Sequence, residues 1–225
     1  MPVTIGLARL ALLKSDLFLD LTGTSSDNEL KAAILAATTM VHQRVGRVLT
    51  DATYTDELYS GNNNQRLWLR NHPVTKVSAM KIWDGDAYTT ESSTYYELIA
   101  GRYIQYPKRG QESKAAWGSF PEGDDNVKVT YDAGYDATDW ATASYPDPGG
   151  SPAKVFDVPR DLELAVAKVA ALIALEGRGV DTIGAGRLGI VSVNLGPESA
   201  SFERYERGIP ADALAVIDSY REPQL

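Results

Sequence analysis

Residues 158–176 are the most demanding stretch of this sequence. Leu162, Ala165, Val166, Val169, Ala170, Leu172 and Ile173 recur so densely that a helix built over them is apolar on nearly every side. Such a helix has no face to give to water, so it belongs inside a bundle or in a contact between subunits. Asp157-Val158-Pro159 reads as its start, with Asp157 as the cap and the proline in the first turn, where a missing N–H is tolerated. Gly177 or Gly179 marks its end.

Two further helical regions precede it. Leu7, Leu10 and Leu13 stand at helical spacing in a short first helix that Lys14-Ser15-Asp16 closes. Ser26-Asp27-Asn28-Glu29 fits a capping box, in which the serine hydroxyl and the glutamate each satisfy a free backbone N–H. Leu30, Ala33, Ile34, Ala37, Met40, Val41 and Val45 then follow the 3.6-residue period, and Gly46 sits where a left-handed cap is wanted. The spacing predicts a helix over 27–45. Pro210 to about Arg221 forms a short last helix with Leu214 and Ile217 on one face.

From about 50 to 132 the texture changes to short β-branched and aromatic runs separated by turn residues. Strands are expected at 53–59, 66–69, 76–83, 95–98, 102–106 and 126–131. Gly61-Asn62-Asn63-Asn64 and Asp84-Gly85-Asp86 supply turn chemistry between them. Residues 133–157 carry glycine, proline, aspartate and serine without period, as a long exposed loop does. A glycine-rich stretch, 177–189, leads to a short strand at 190–193 and then to polar residues 196–208.

Composition closes several routes. The absence of cysteine removes disulfides, thiolate metal sites and a thiol nucleophile. A formal net charge of −8 opposes a protein that grips nucleic acid by its phosphates, but suits a wall that DNA slides past. The apolar stretch Leu7–Leu13 is interrupted by Arg9, closed by Lys14 and followed by no small-residue cleavage site, so a signal peptide is not expected, and no stretch reaches bilayer-spanning length.

Gly184-Ala185-Gly186-Arg187-Leu188-Gly189 matches the dinucleotide fingerprint in letters only. The motif needs a strand before it and a helix after it, and here the order is reversed. Glu122, Asp124, Asp125, Asp132, Asp136 and Asp139 lack the spacing of a calcium loop and read as a solvated acidic face. His42 and His72 are too few for a zinc site without cysteine, and no nucleophile elbow accompanies them. No cofactor or metal is expected. Of the four tryptophans, Trp68 and Trp83 fall in strands and suggest core packing, whereas Trp117 and Trp140 lie in loops and are freer to mark a contact surface.

The order of these pieces resembles the head–tail connector (adaptor, head-completion) proteins of tailed bacteriophages. The resemblance is carried by Val45-Gly46-Arg47 leading into Tyr54–Tyr59, by Leu67–Val77 with His72-Pro73-Val74, and by Tyr95–Leu98 with Gly101–Ile104. It continues through Val127–Tyr135, Val158–Leu162, and Ile209-Pro210 to Tyr220-Arg221, and so covers about residues 5–221. The segments 133–157 and 177–208 depart from the family pattern.

The resemblance implies an α+β fold, a helical bundle with a β-rich antiparallel insertion. Residues 1–52 would be its N-terminal helical part, 53–132 the insertion, 133–157 the long loop, and 158–225 the C-terminal helical part with a flexible 177–208 segment. It implies a structural virion protein at the head–tail junction, made in the host cytoplasm. Twelve copies would ring the underside of the portal protein, receive a stopper or tail-terminator protein on the other face, and let double-stranded DNA pass through the lumen. No membrane is involved. Leu214, Ile217, Tyr220 and Arg221 are the expected portal-facing residues, with packing of the same helix on its own subunit as the plain alternative. A second class of function is a tail or baseplate binding module using Trp117 and Trp140 as its platform. An enzyme ranks last, because no catalytic constellation is present.

Overall fold

The computed structural model describes residues 5–113, 115–138, 140, 157–176, 192–195, 198–201, 205–206 and 209–221. The architecture is α+β. The chain divides into a helical unit, Met1–Arg47 with Asp136–Leu225, and a β unit, Val48–Tyr135.

The helical unit contains α1 (Leu10–Lys14), α2 (Asp27–Val45), α3 (Arg160–Glu176) and α4 (Ala211–Ser219). α3 packs against each of the other three, which explains its apolar surface on so many sides. Leu162, Val166, Val169 and Ala170 are fully enclosed. α2 turns Leu30, Ile34, Ala37, Val41 and Val45 inward. It ends at Gly46, whose φ of +83° is the left-handed conformation that favours glycine, and the Gly46 N–H donates to the His42 carbonyl at 2.9 Å. Four short strands in two pairs also belong to this unit. Ser192–Leu195 (β8) pairs with Glu198–Ser201 (β9), and Tyr205–Glu206 (β10) with Ile209–Pro210 (β11), both antiparallel.

The segment before α1 is held by its backbone. Leu7 N–H donates to Thr38 Oγ1 at 3.1 Å, Arg9 N–H to Glu163 Oε1 at 3.3 Å, and Leu10 N–H to the Trp140 carbonyl at 3.1 Å. These three donors, which an extended, buried segment would leave orphaned, thus have partners. Glu163 is 1% exposed and also accepts from Arg9 Nε at 2.6 Å, Arg9 Nη2 at 2.9 Å and Arg160 Nη1 at 2.8 Å. Burial pushes its carboxyl up, but the hydrogen bonds and charge of the two arginines outweigh burial and hold it below the usual carboxylate range.

The β unit has two antiparallel sheets. β1 (Ala52–Gly61), β7 (Gly123–Ala133), β3 (Val74–Trp83) and β4 (Tyr88–Thr90) form the larger, in that order. β2 (Arg66–Trp68), β6 (Tyr103–Gln105) and β5 (Glu97–Ile99) form the smaller. One core lies between them. Met80, Ile82, Val127, Val129 and Tyr131 come from the large sheet, Leu67 and Ile104 from the small one, and Tyr106 and Phe120 from the flanking loops. Because strand side chains alternate, residues one step away in each strand form the two outer faces of this sandwich. Gly134 closes the unit at φ +117°, where a Cβ would lie 2.3 Å from the Thr50 carbonyl oxygen, so no larger residue fits.

Several sequence expectations change. The Ser26 side chain makes no capping hydrogen bond, although α2 starts where expected. Asp157 stands two residues before the cap position of α3. The Pro159 carbonyl accepts the first helical bond, from Glu163 N–H at 2.9 Å, so the proline occupies the cap. β4 was not among the expected strands, since Tyr88-Thr89-Thr90 is too short to show alternation. The strand expected at 190–193 is described from Ser192 onward. Residues 141–156, and with them most of the loop expected at 133–157, lie outside the described residues, as do 177–191 and much of the remainder to 208.

The Arg9–Glu163 contact predicts a large, one-sided effect. Glu163→Gln leaves Arg9 buried without its counter-charge and is expected to cost about 3 kcal/mol in urea unfolding, whereas Arg160→Ala, at the half-exposed partner, costs under about 1 kcal/mol. His42 supplies a pH prediction. Burial lowers its pKa from 6.5 to about 4, so the folded chain keeps it neutral while the unfolded chain takes a proton. Stability is therefore expected to fall as pH drops from 6.5 toward 4, and unfolding midpoints of the His42→Leu variant should be flatter than wild type between pH 6.5 and 5.

Candidate functional site

The β unit carries the most perturbed polar cluster. Tyr59 and Tyr131 hydroxyls both donate to Glu57 Oε2 and lie 3.0 Å from each other. Asn71 Nδ2 donates to the Tyr131 hydroxyl and Arg70 N–H to that of Tyr59, each at 3.1 Å. The Arg70 guanidinium sits 4.7 Å from the Tyr59 ring centre and 3.6 Å from Glu57 Oε1. Burial first, then hydrogen bonding to Glu57, pushes the Tyr131 hydroxyl up to about 12 and that of Tyr59 further. Both tyrosines stay protonated at neutral pH and act as donors that satisfy the carboxylate. The arrangement locks β1, β7 and the β2–β3 connection together. Tyr106 works similarly, donating to buried Glu91 at 2.9 Å and accepting from Trp117 N–H at 3.1 Å.

The outer faces of the sandwich are less closed. On the small sheet, cross-strand pairing aligns Trp68, Tyr103 and Ile99 in one row and Arg66, Gln105 and Glu97 in the next. Trp68 is 60% exposed and packs on Tyr103 with ring centres 4.8 Å apart. Beside it an open groove of about 770 Å³ is lined by Asn62, Asn63, Asn64, Gln65 and Ser119. On the large sheet, Trp83 is 40% exposed and meets Tyr88 edge-on at 5.1 Å. Lys128 Nζ lies 3.9 Å over the Tyr88 ring.

This reverses the expected roles of the tryptophans. Trp68 and Trp83 are not core residues. Trp140 is 8% exposed, and a Cβ on Gly6 would come within 2.9 Å of its ring; Trp117 is half-buried and packs on the β core. Neither forms a loop platform. Alternation was the signal that finds the exposed pair: Leu67 and Leu69 flank Trp68, and Met80 and Ile82 precede Trp83, so an inward apolar row forces each tryptophan outward.

α4 carries the four residues expected at the portal. Ile217 is fully buried in the helical unit, and Leu214 is half-buried. The Tyr220 hydroxyl donates to Asp161 Oδ1 at 2.8 Å. Arg221 is exposed, 3.9 Å from Asp218. Asp218 itself is clamped by Arg44 through two 2.7 Å hydrogen bonds, which, with the Arg44 charge, hold its carboxyl below the usual range. Arg47 Nη2 reaches the Tyr220 carbonyl at 3.3 Å. One side of α4 is thus fastened to α2 and α3. The glycine motif 184–189 lies outside the described residues. Among the described residues no group of three or more histidine, aspartate or glutamate side chains could hold a metal ion, and no helix is long and apolar enough to cross a membrane.

The model of the head completion protein family matches residues 14–171, well over half the chain, and the chain belongs to that family. Its role is structural, in joining head to tail. No curated protein matches it in sequence. Among solved structures, a chain from the neck of an empty GTA particle computed with C6 symmetry is 18% identical, with 96% of this chain and 90% of that one covered and a TM-score of 0.53. A chain from the virion of a native gene transfer agent (GTA) particle is 17% identical over 96% and 90%, with a TM-score of 0.47. At such identities the likeness is one of fold.

The Tyr59 hydroxyl both donates to Glu57 and accepts from the Arg70 backbone, so Tyr59→Phe strands a buried group. It is expected to cost about 1–3 kcal/mol in denaturant unfolding, and Tyr59→Phe with Tyr131→Phe should be non-additive because both serve the same carboxylate.

Proposed function

We propose that this chain assembles side by side into a ring beneath the portal, extends the DNA channel, and offers its other face to the next head-completion or tail protein. Membership of the head completion family carries the reading. The net charge of −8 supports a channel wall along which DNA moves without adhering, since an acidic balance repels the phosphate backbone. A ring needs one heterologous surface pair that closes, and twelve copies would match a twelve-fold portal.

The portal-facing element is α4. Its four residues divide by exposure: Ile217 and Tyr220 anchor the helix to its own subunit, while Leu214 and Arg221 are left to meet a partner. An amphipathic helix fastened on one side and open on the other suits capture in a partner's groove.

Native mass spectrometry of the chain, alone and mixed with portal, tests the ring; monomer in both would end this reading. For the contact, Leu214→Ser with Arg221→Glu should leave the unfolding midpoint within about 0.5 kcal/mol of wild type and reduce portal capture at least tenfold. Unchanged capture would remove α4 from the contact.

A further inference from the structure

We infer that the ring contact is made by the two outer faces of the β sandwich, the Trp68 face of one copy seating on the Trp83 face of the next. This rests on the ring reading above and names the surfaces that would form it. The two faces belong to different sheets packed back to back around one core, so they point away from each other across the same unit. Each presents the same group of elements: an exposed tryptophan (60% and 40%), a tyrosine packed on it (4.8 and 5.1 Å), and a cation over that tyrosine ring. Arg66 lies 5.5 Å over Tyr103, and Lys128 lies 3.9 Å over Tyr88. Leu58, 36% exposed, shares the outer face of the large sheet. Large exposed aromatics held rigid by neighbours and ringed by polar groups are what an interface anchor requires, and neither tryptophan contributes to the core.

The rims differ in charge, the one beside Trp83 being the more acidic. Beside Trp83 the β3–β4 turn and the start of β7 bring Asp84, Asp86, Asp124 and Asp125 to one end of the sheet, and the Tyr88 hydroxyl bonds the Asp125 carbonyl. Of the cations on that face, Lys81 is paired with Asp56 at 2.9 Å, and Lys128 lies on Tyr88 as Arg66 lies on Tyr103. The Trp68 face offers the exposed Arg66, with Arg102 in the adjoining turn, against Glu97 in the same row and Glu122, which accepts from Asn63 Nδ2 at 3.1 Å at the groove. Amides from Asn62 to Gln65 line the groove alongside and can satisfy carboxylate and backbone groups of an entering edge. Unlike faces on opposite sides of one unit define a heterologous contact, which repeats from copy to copy until a ring closes.

The test uses two full-length variants, Trp68→Ala and Trp83→Ala, examined by light scattering and sedimentation. Both residues are surface-exposed, so melting temperatures should stay close to wild type. Each variant alone should self-associate at least tenfold more weakly than wild type. Mixed one to one, each supplies the face the other lacks, and the mixture should form a 1:1 dimer that does not grow. Rings that form normally from either variant overturn the inference while leaving the ring reading intact. So does a mixture that associates no better than its components, because a contact pairing like with like cannot be complemented. A wild-type chain that stays monomeric removes the ring reading and this one together.

Discussion

Burying Glu163 commits the helical unit to one arrangement. A carboxylate at 1% exposure is tolerable only where cations and donors converge on it, and here Arg9 brings two side-chain donors and its own backbone N–H. The segment before α1 is therefore pinned to the first turn of α3 at a fixed point. Leu7 and Leu10 take their places on either side of it through Thr38 and Trp140. Much of the helical packing described here follows from that convergence: α3 can be apolar on many sides because its one buried charge is already answered.

The legible parts of the fold were those where periodicity meets little competition. The apolar period of α2 and its terminal Gly46 gave the helix its residues at both ends, and α3 followed from its density of small and branched apolar residues. Local hydrogen-bond signals were less dependable. Ser26 stands at the right place for a capping box yet its side chain does not cap, and Asp157 yields the cap to Pro159, because about 1 kcal/mol in local bonding is overridden by how the chain enters the bundle.

The tryptophans show where reading by residue type goes astray. A large aromatic in a strand suggests the core, and one in a loop suggests the surface. The alternation of Leu67-Trp68-Leu69 and of Met80, Ile82 and Trp83 held the correct answer, because period two assigns the face before size does. Trp117 and Trp140 could not have been placed this way, since loops have no period and their burial depends on contacts remote in sequence, such as Trp140 against Gly6. In α4, spacing put Leu214 and Ile217 on one face, whereas Ala213 and Ile217 are the buried pair and Leu214 is half-buried, an outcome that depends on α2 and α3, which lie far away in the chain.

The helical unit is made from two stretches of chain separated by the whole β unit. α2 and α3 cannot meet until the ends of about 110 intervening residues come together, and closing a flexible loop of that length costs several kcal/mol of chain entropy. The β unit contains its own remedy. Tyr135 N–H bonds the Leu49 carbonyl at 2.7 Å, Asp51 N–H bonds the Tyr135 carbonyl at 3.0 Å, and Thr50 and Tyr135 form a bridge. Once its sheets have formed, the insertion holds its entry and exit side by side like a clasp. Pairing at the mouth of the insertion thereby shortens the loop that must close before α3 can reach α2, so the stability of the β unit bears on that of the bundle.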